Sequence, residues 1–197
     1  MRKSLFVICL WLLGCGDSGS GQCGAFTPCG GAIVGNWRIT GFCSNITGSL
    51  SSSSCTGMTA TAQVQVNGTL SFTSTGTYSI AGTENGTNNV TYPQACLTSV
   101  NMTCARLETA LNTGMGGISG SCQSNANGDC ACTENFANVP VGEQGTYSTS
   151  GSSLNMIKTD GTTSEGSTQY CVQGNTLMLQ ATSPTVSGSS TLTATKE

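Results

Sequence analysis

Thr59-Ala60-Thr61-Ala62-Gln63-Val64-Gln65-Val66 alternates polar with small or apolar residues at a period of two, which puts Ala60, Ala62, Val64 and Val66 on one face. That is the pattern of a half-buried strand, and it sets the fold class. Asn67-Gly68 follows as a two-residue hairpin signal, and Thr69 to Ser74 resumes with Leu70 and Phe72 inward. Next comes Gly76-Thr77-Tyr78-Ser79-Ile80, another short strand, with turn chemistry at Ala81-Gly82 and Asn85-Gly86. Asn88 to Tyr92 adds a strand before Pro93.

Upstream, Ile33 to Phe42 reads as the first strand and Ser49 to Ser54 as a serine loop. Downstream, Gly116 to Asn127 is loop-rich around Cys122, Asn125 to Asp129 reads as a turn, and Cys130-Ala131-Cys132 opens a strand towards Phe136. Gly145-Thr146-Tyr147-Ser148 repeats Gly76-Thr77-Tyr78-Ser79, as expected of two strands meeting the same structural need, and Ser150-Gly151 turns. Leu154 and Met156 alternate inward, with turns at Asp160-Gly161 and Gly174-Asn175. Ser167 to Val172 and Thr176 to Ala181 supply further strands, and Thr191 to Ala194 an edge strand. One segment has helical spacing: Leu97, Val100, Cys104, Leu107 and Leu111 recur at steps of 3 and 4 within Gln94 to Leu111, Arg106 and Glu108 mark a solvated face, and Gly114 suits the stop. These signals predict a mainly β fold, an antiparallel up-and-down barrel or a sandwich with one short helix.

The chain starts with a leader. Arg2 and Lys3 precede a nine-residue apolar run from Leu5 to Leu13, well short of the ~20 residues a spanning helix needs. Leu12-Leu13-Gly14-Cys15 resembles the lipobox of bacterial lipoproteins, which implies cleavage before Cys15 and attachment of lipid there, palmitate-type chains included. Gly16 to Gly21 makes a polar tether, and the residue after Cys15 is not the Asp of an inner-membrane retention signal. The expected organisation is a signal peptide over 1–14, a lipid-anchored tether over 15–31, a β domain over 32–181 and a Ser/Thr-rich segment over 182–197. The expected location is the cell envelope, anchored to the outer membrane.

The chain of 197 residues holds 12 cysteines and no histidine. With Cys9 in the leader and Cys15 lipidated, Cys23, Cys29, Cys43, Cys55, Cys96, Cys104, Cys122, Cys130, Cys132 and Cys171 remain as disulfide candidates. In an exported chain that even remainder implies a disulfide framework, whose connectivity spacing leaves open. Cys43–Cys55 and Cys96–Cys104 are candidate local loops. Cys130 and Cys132, two apart on one strand face, are each expected to bond a different partner. Metal binding there is the rival reading, weakened by the lack of histidine and an oxidising compartment.

The Gly35-Asn36-Trp37 motif resembles the first strand of lipocalins, where the Trp plugs the closed end of the barrel. The succession Gly-Thr-Tyr-Ser, turn, Leu-x-Met, Asp-Gly, Tyr-Cys-Val, Gly-Asn-Thr-Leu is similar to the C-terminal half of bacterial lipocalin-like domains. Together they make the chain resemble small cysteine-rich envelope lipoproteins with a lipocalin-like barrel. In lipocalins a final-strand Arg packs on the Trp. Here no Arg follows Arg106, and only Lys158 and Lys196 are basic in that region. The resemblance therefore implies the architecture without the ligand chemistry.

Charge and residue types narrow the function. Losing Arg2 and Lys3 from the 6 basic residues leaves the mature chain clearly acidic against its 9 carboxylates, which argues against nucleic acid. Without histidine there is no Ser-His-Asp or Cys-His system. The carboxylates Glu84, Glu108, Asp129, Glu134, Glu143, Asp160 and Glu165 look scattered, and no catalytic residue, metal site or cofactor is expected. Two readings stay open. One is a non-catalytic structural or interaction module with an envelope protein partner. The other is a carrier of a small apolar ligand, lined chiefly by Trp37, Phe42, Phe72, Tyr78, Tyr147 and Tyr170.

Overall fold

The computed structural model describes residues 25–44, 49–52, 55–114, 117–160, 167–182 and 189–197. Its strands are β1 (Gly35–Ser44), β2 (Ser49–Ser52), β3 (Cys55–Phe72), β4 (Thr77–Tyr92), β5 (Ile118–Ser124), β6 (Cys130–Ser150), β7 (Ser153–Lys158), β8 (Ser167–Gln173), β9 (Thr176–Thr182) and β10 (Ser189–Lys196). Two helices, α1 (Gln94–Ser99) and α2 (Cys104–Gly114), lie between β4 and β5. Every strand pairing is antiparallel. The strands run in the order β1-β10-β9-β8-β7-β6-β4-β3, and Gly35 to Arg38 of β1 pair with Phe72 to Thr69 of β3 to close an eight-stranded barrel. Around the ring the strands follow chain order, so the barrel is of the up-and-down kind.

Strands β3, β4 and β6 are too long for the barrel and run out of it. Beyond the ring they form a wing in the order β2-β3-β4-β6-β5. The inner face carries two cores. Trp37, Leu70, Phe72, Tyr78, Tyr170 and Leu177 belong to the cluster that fills the barrel. Leu97, Leu107, Leu111, Ile118, Phe136 and Val139 belong to the second, between the helices and the wing.

Several turn signals lie inside strands. Asn67-Gly68 is mid-β3, where Gly68 faces Gly82 of β4, so Ala81-Gly82 is no turn either. Val64, Val66, Leu70 and Phe72 keep one inward parity through Asn67-Gly68, and burial along that face holds the strand straight. Gly68 and Gly82 serve close approach instead. A Cβ on Gly68 would sit 2.7 Å from Gly82 Cα, and one on Gly82 would sit 2.9 Å from Gly68 Cα. Gly142 on β6 opposes Ala81 beside them, so a row of glycines marks where barrel becomes wing. Asn85-Gly86 is likewise within β4, at a register shift between Glu84 and Gly86. The true β3–β4 turn is Thr73 to Gly76, closed by the Thr77 carbonyl accepting from Thr73 N at 2.9 Å, with Gly76 at φ 79°. Turns do occur at Ser150-Gly151, Gly174-Asn175 and Asn125 to Asp129, where Asn125 Oδ1 accepts from the backbone N of Asn127 and Asp129.

Other elements depart from expectation in extent. The single helix is two, because Asn101 takes φ 53° and Val100, expected in the apolar stripe, is 52% exposed. Thr103 starts α2 afresh by accepting Arg106 N at its Oγ1. Ser49 to Ser52, read as loop, is strand β2, and Ile118 to Ser124 is strand β5. The expected edge strand at 191–194 is the longer β10, paired with β1 on one side and β9 on the other. The repeated Gly-Thr-Tyr-Ser segments meet across β4 and β6, with Thr77 opposite Thr146, and both tyrosines pack on Phe72 at centroid distances of 6.4 and 5.0 Å.

The structure contains the disulfides Cys29–Cys171, Cys104–Cys130 and Cys122–Cys132. Cys130 and Cys132 thus take different partners, and Cys104 is not bonded to Cys96, because the turn into α2 points Cys104 at the sheet. Cys43 and Cys96 are also disulfide-bonded. Cys23, the Cys55 side chain, Gly161 and Glu165, and the whole leader with Cys15, lie outside the described residues.

Among the described residues, the β7–β8 seam registers through Ser153–Gln169 and Leu154–Thr168. The segment before β1 runs across it: Gly30 bridges in parallel to Cys171, Tyr170 O accepts from the N of Cys29 and Gly30, and Gly30 packs against Gly151. Cys29–Cys171, 142 residues apart in sequence, makes this strap covalent. Replacing both cysteines by Ser is expected to cost about 2–5 kcal/mol of stability and to speed amide exchange first in β7 and β8. Exchange rising evenly over the barrel would show that the strap does not hold this seam.

Candidate functional site

Within the barrel, the fully buried Trp37 donates from Nε1 to Ile33 O at 2.8 Å. Lys196, opposite it on β10, places Nζ 5.4 Å from the ring centroid. A basic residue of the last strand, Lys196, therefore lies on this Trp. Gly35 makes room, since a Cβ there would come 3.0 Å from Lys196 Cε. Phe72, Tyr78 and Tyr170 are buried with Trp37, Tyr147 packs against them, and Phe42 is half-buried. Four of the residues expected to line a cavity, Trp37, Phe72, Tyr78 and Tyr170, thus belong to the barrel core.

Polar groups enter this interior at a few points. Tyr78 OH donates to Glu143 Oε1 at 2.5 Å, and Lys158 Nζ lies 3.1 Å from Glu143 Oε2. Burial, then the Glu143 bond and charge, push the Tyr78 phenol far above its ordinary range, so it remains a donor. On the wing, Glu134 is 7% exposed and accepts from Asn88 Nδ2 at 3.2 Å and Tyr92 OH at 2.9 Å. Burial raises its pKa while those two bonds oppose the rise. Asn88 Oδ1 is buried without a partner among the described residues. Glu84 is 6% exposed between Val66 and Val139, and burial raises its pKa to about 7.

These carboxylates do not form a catalytic pair. Glu134 faces Asn88, and Glu84 lies four residues along β4, about 13 Å at ~3.3 Å per residue. Glycosidase pairs stand ~5–9.5 Å apart. Among the described residues, one group has metal-ligand spacing: the sulfurs of Cys122, Cys130 and Cys132 lie within 4.8 Å of one another. Their disulfides leave no thiolate to ligate.

Two hollows open on the outer surface. One, about 420 Å³, lies on the wing face turned away from the helices, lined by Thr59, Thr61, Asn89, Thr91, Ser121, Gln123 and Thr133. Thr133 Oγ1 donates to Asn89 Oδ1 at 2.9 Å across its floor. The lining carries no charge. The other, about 550 Å³, runs along the barrel wall past Ser71, Thr77, Ser79, Thr146 and Ile157.

No family model, curated protein or solved structure matches this chain. Its function must be read from its own residues.

The buried acids looked scattered in sequence. The signal that finds them is strand parity: once β4 is one strand, Glu84 and Asn88 share the inward face of Tyr78, Ile80 and Val90. Glu84 also makes stability depend on pH. Its proton is held more tightly folded than unfolded, so its contribution is full below about pH 4.5 and is lost as pH rises through about 7. Glu84→Gln is expected to remove a loss on the order of 1–3 kcal/mol between pH 5 and 8 in unfolding titrations. Parallel pH profiles for variant and wild type would show that Glu84 is not the group responsible.

Proposed function

We propose that this protein is a lipid-anchored envelope lipoprotein whose barrel is a non-catalytic structural or interaction module. The observation that carries the reading is the filled barrel. Leu70, Phe72 and Leu177, each no more than 2% exposed, occupy the interior a carried ligand would need, together with the fully buried Trp37. The leader ending in Leu12-Leu13-Gly14-Cys15 supports the anchor, and the bridges support life in an oxidising compartment. The anchored segment joins the barrel at Cys29, at the end closed by the β6–β7 turn. The wing projects from the other end, and its surface meets an envelope protein partner.

Native mass spectrometry of protein taken from host membranes tests both parts. Acylation at Cys15 and an otherwise ligand-free mass are expected. An unacylated secreted form would overturn the anchor, and a bound apolar molecule would overturn the filled module in favour of a carrier. Leu70→Ala gives an independent check. It is expected to cost about 2–5 kcal/mol and to create binding of a small apolar probe that wild type lacks. Saturable probe binding by wild type would count against the proposal.

A further inference from the structure

The Cys104–Cys130 and Cys122–Cys132 bridges meet at their buried ends. Cys130 and Cys132 are 0% and 3% exposed, and their sulfurs lie 3.6 Å apart. Both sulfurs are bridged and carry no proton, so this is van der Waals contact between two disulfides. The outer members, Cys104 and Cys122, are only partly buried. Cys104 is the first residue of the 11-residue helix α2. One bridge therefore ties helix to sheet, and the other ties β5 to β6.

We infer that these four cysteines form a single thiol–disulfide exchange site whose substrate is an external thiol. The thiolate of that thiol attacks Cys122, forming a mixed disulfide and expelling Cys132 as a thiolate. Cys132 then attacks the Cys130 sulfur in contact with it. A Cys130–Cys132 bond forms, the Cys104–Cys130 bond breaks, and its electron pair leaves on Cys104, which takes a proton from water or stays ionised. No net oxidant or reductant is consumed: one thiol enters and one thiol leaves.

Two features favour this course, and a third sets its cost. Exchange needs sulfur–sulfur approach, and the fold holds the two bridges in contact. A helix N-terminus and partial exposure stabilise a thiolate at Cys104, whereas apolar burial disfavours one at Cys132. A Cys130–Cys132 bond needs Cβ atoms ~3.5–4.5 Å apart, closer than an extended strand holds residues two apart, so β6 contracts locally as the bond forms. The outcome frees α2 from β6, while both buried sulfurs remain bonded.

The test needs no external thiol. Cys122→Ser leaves Cys132 unpaired in the oxidised chain. Alkylation of the folded variant followed by peptide mapping is expected to find label on Cys104, at least tenfold above wild type, with Cys130 and Cys132 joined. Label confined to Cys132, with Cys104–Cys130 intact, would overturn the inference. Cys104→Ser is the mirror experiment: it leaves a thiol on Cys130 and is expected to release Cys122. Should neither variant fold, limited reduction of wild type by dithiothreitol answers the same question. Label on Cys104 with a Cys130–Cys132 link supports the site, whereas label on Cys122 and Cys132 alone refutes it.

Discussion

The pairing of β3, β4 and β6 holds the two halves of this molecule together. From Thr59–Thr91 to Phe72–Tyr78, and from Thr77–Thr146 to Tyr92–Cys130, the ladders run through barrel and wing, with one register shift beside Glu84. A slip by one residue would turn Val64, Leu70 and Phe72 outward at once. Both cores therefore enforce one register, and the barrel cannot repack independently of the wing. The glycines at 68, 82 and 142 let the sheet change curvature where its cover changes from opposite strands to helices.

Strand parity was legible in the sequence because it is local. The inward set of β3, the tyrosine repeat, the split pairing of Cys130 and Cys132 and the late hairpins all follow from a period of two and ordinary turn chemistry. Asn67-Gly68 misled because the same dipeptide that suits a tight turn also suits a place where backbones nearly touch. Only the partner strand distinguishes the two, and Gly82 is remote in sequence. The break at Asn101 was hidden for a similar reason. Leu97 and Leu107 fit one stripe, while the demand that bends the chain comes from Cys130, beyond the helix.

The buried polar groups were least legible. Glu134 with Asn88 and Tyr92, and Glu143 with Tyr78 and Lys158, are cross-strand sets, and register decides their membership. They place hydrogen-bonded charge among apolar side chains, where low dielectric makes a satisfied bond strong and an unsatisfied one costly. Lys196 over Trp37 illustrates the same dependence, since nothing but the β1–β10 pairing brings residue 196 to residue 37.

The strap at Cys29 also governs how the domain bears load. Tension on the N-terminal segment passes through a covalent bond into β8 at Cys171 before it reaches β1. Strand β1 meets β3 over only four residue pairs, and peeling those rungs one by one would open the barrel easily. The cross-link instead directs force into a strand registered with β9 along its whole length. Pulled by its leading segment, the barrel takes the load on the β8–β9 ladder before the shorter β1–β3 one.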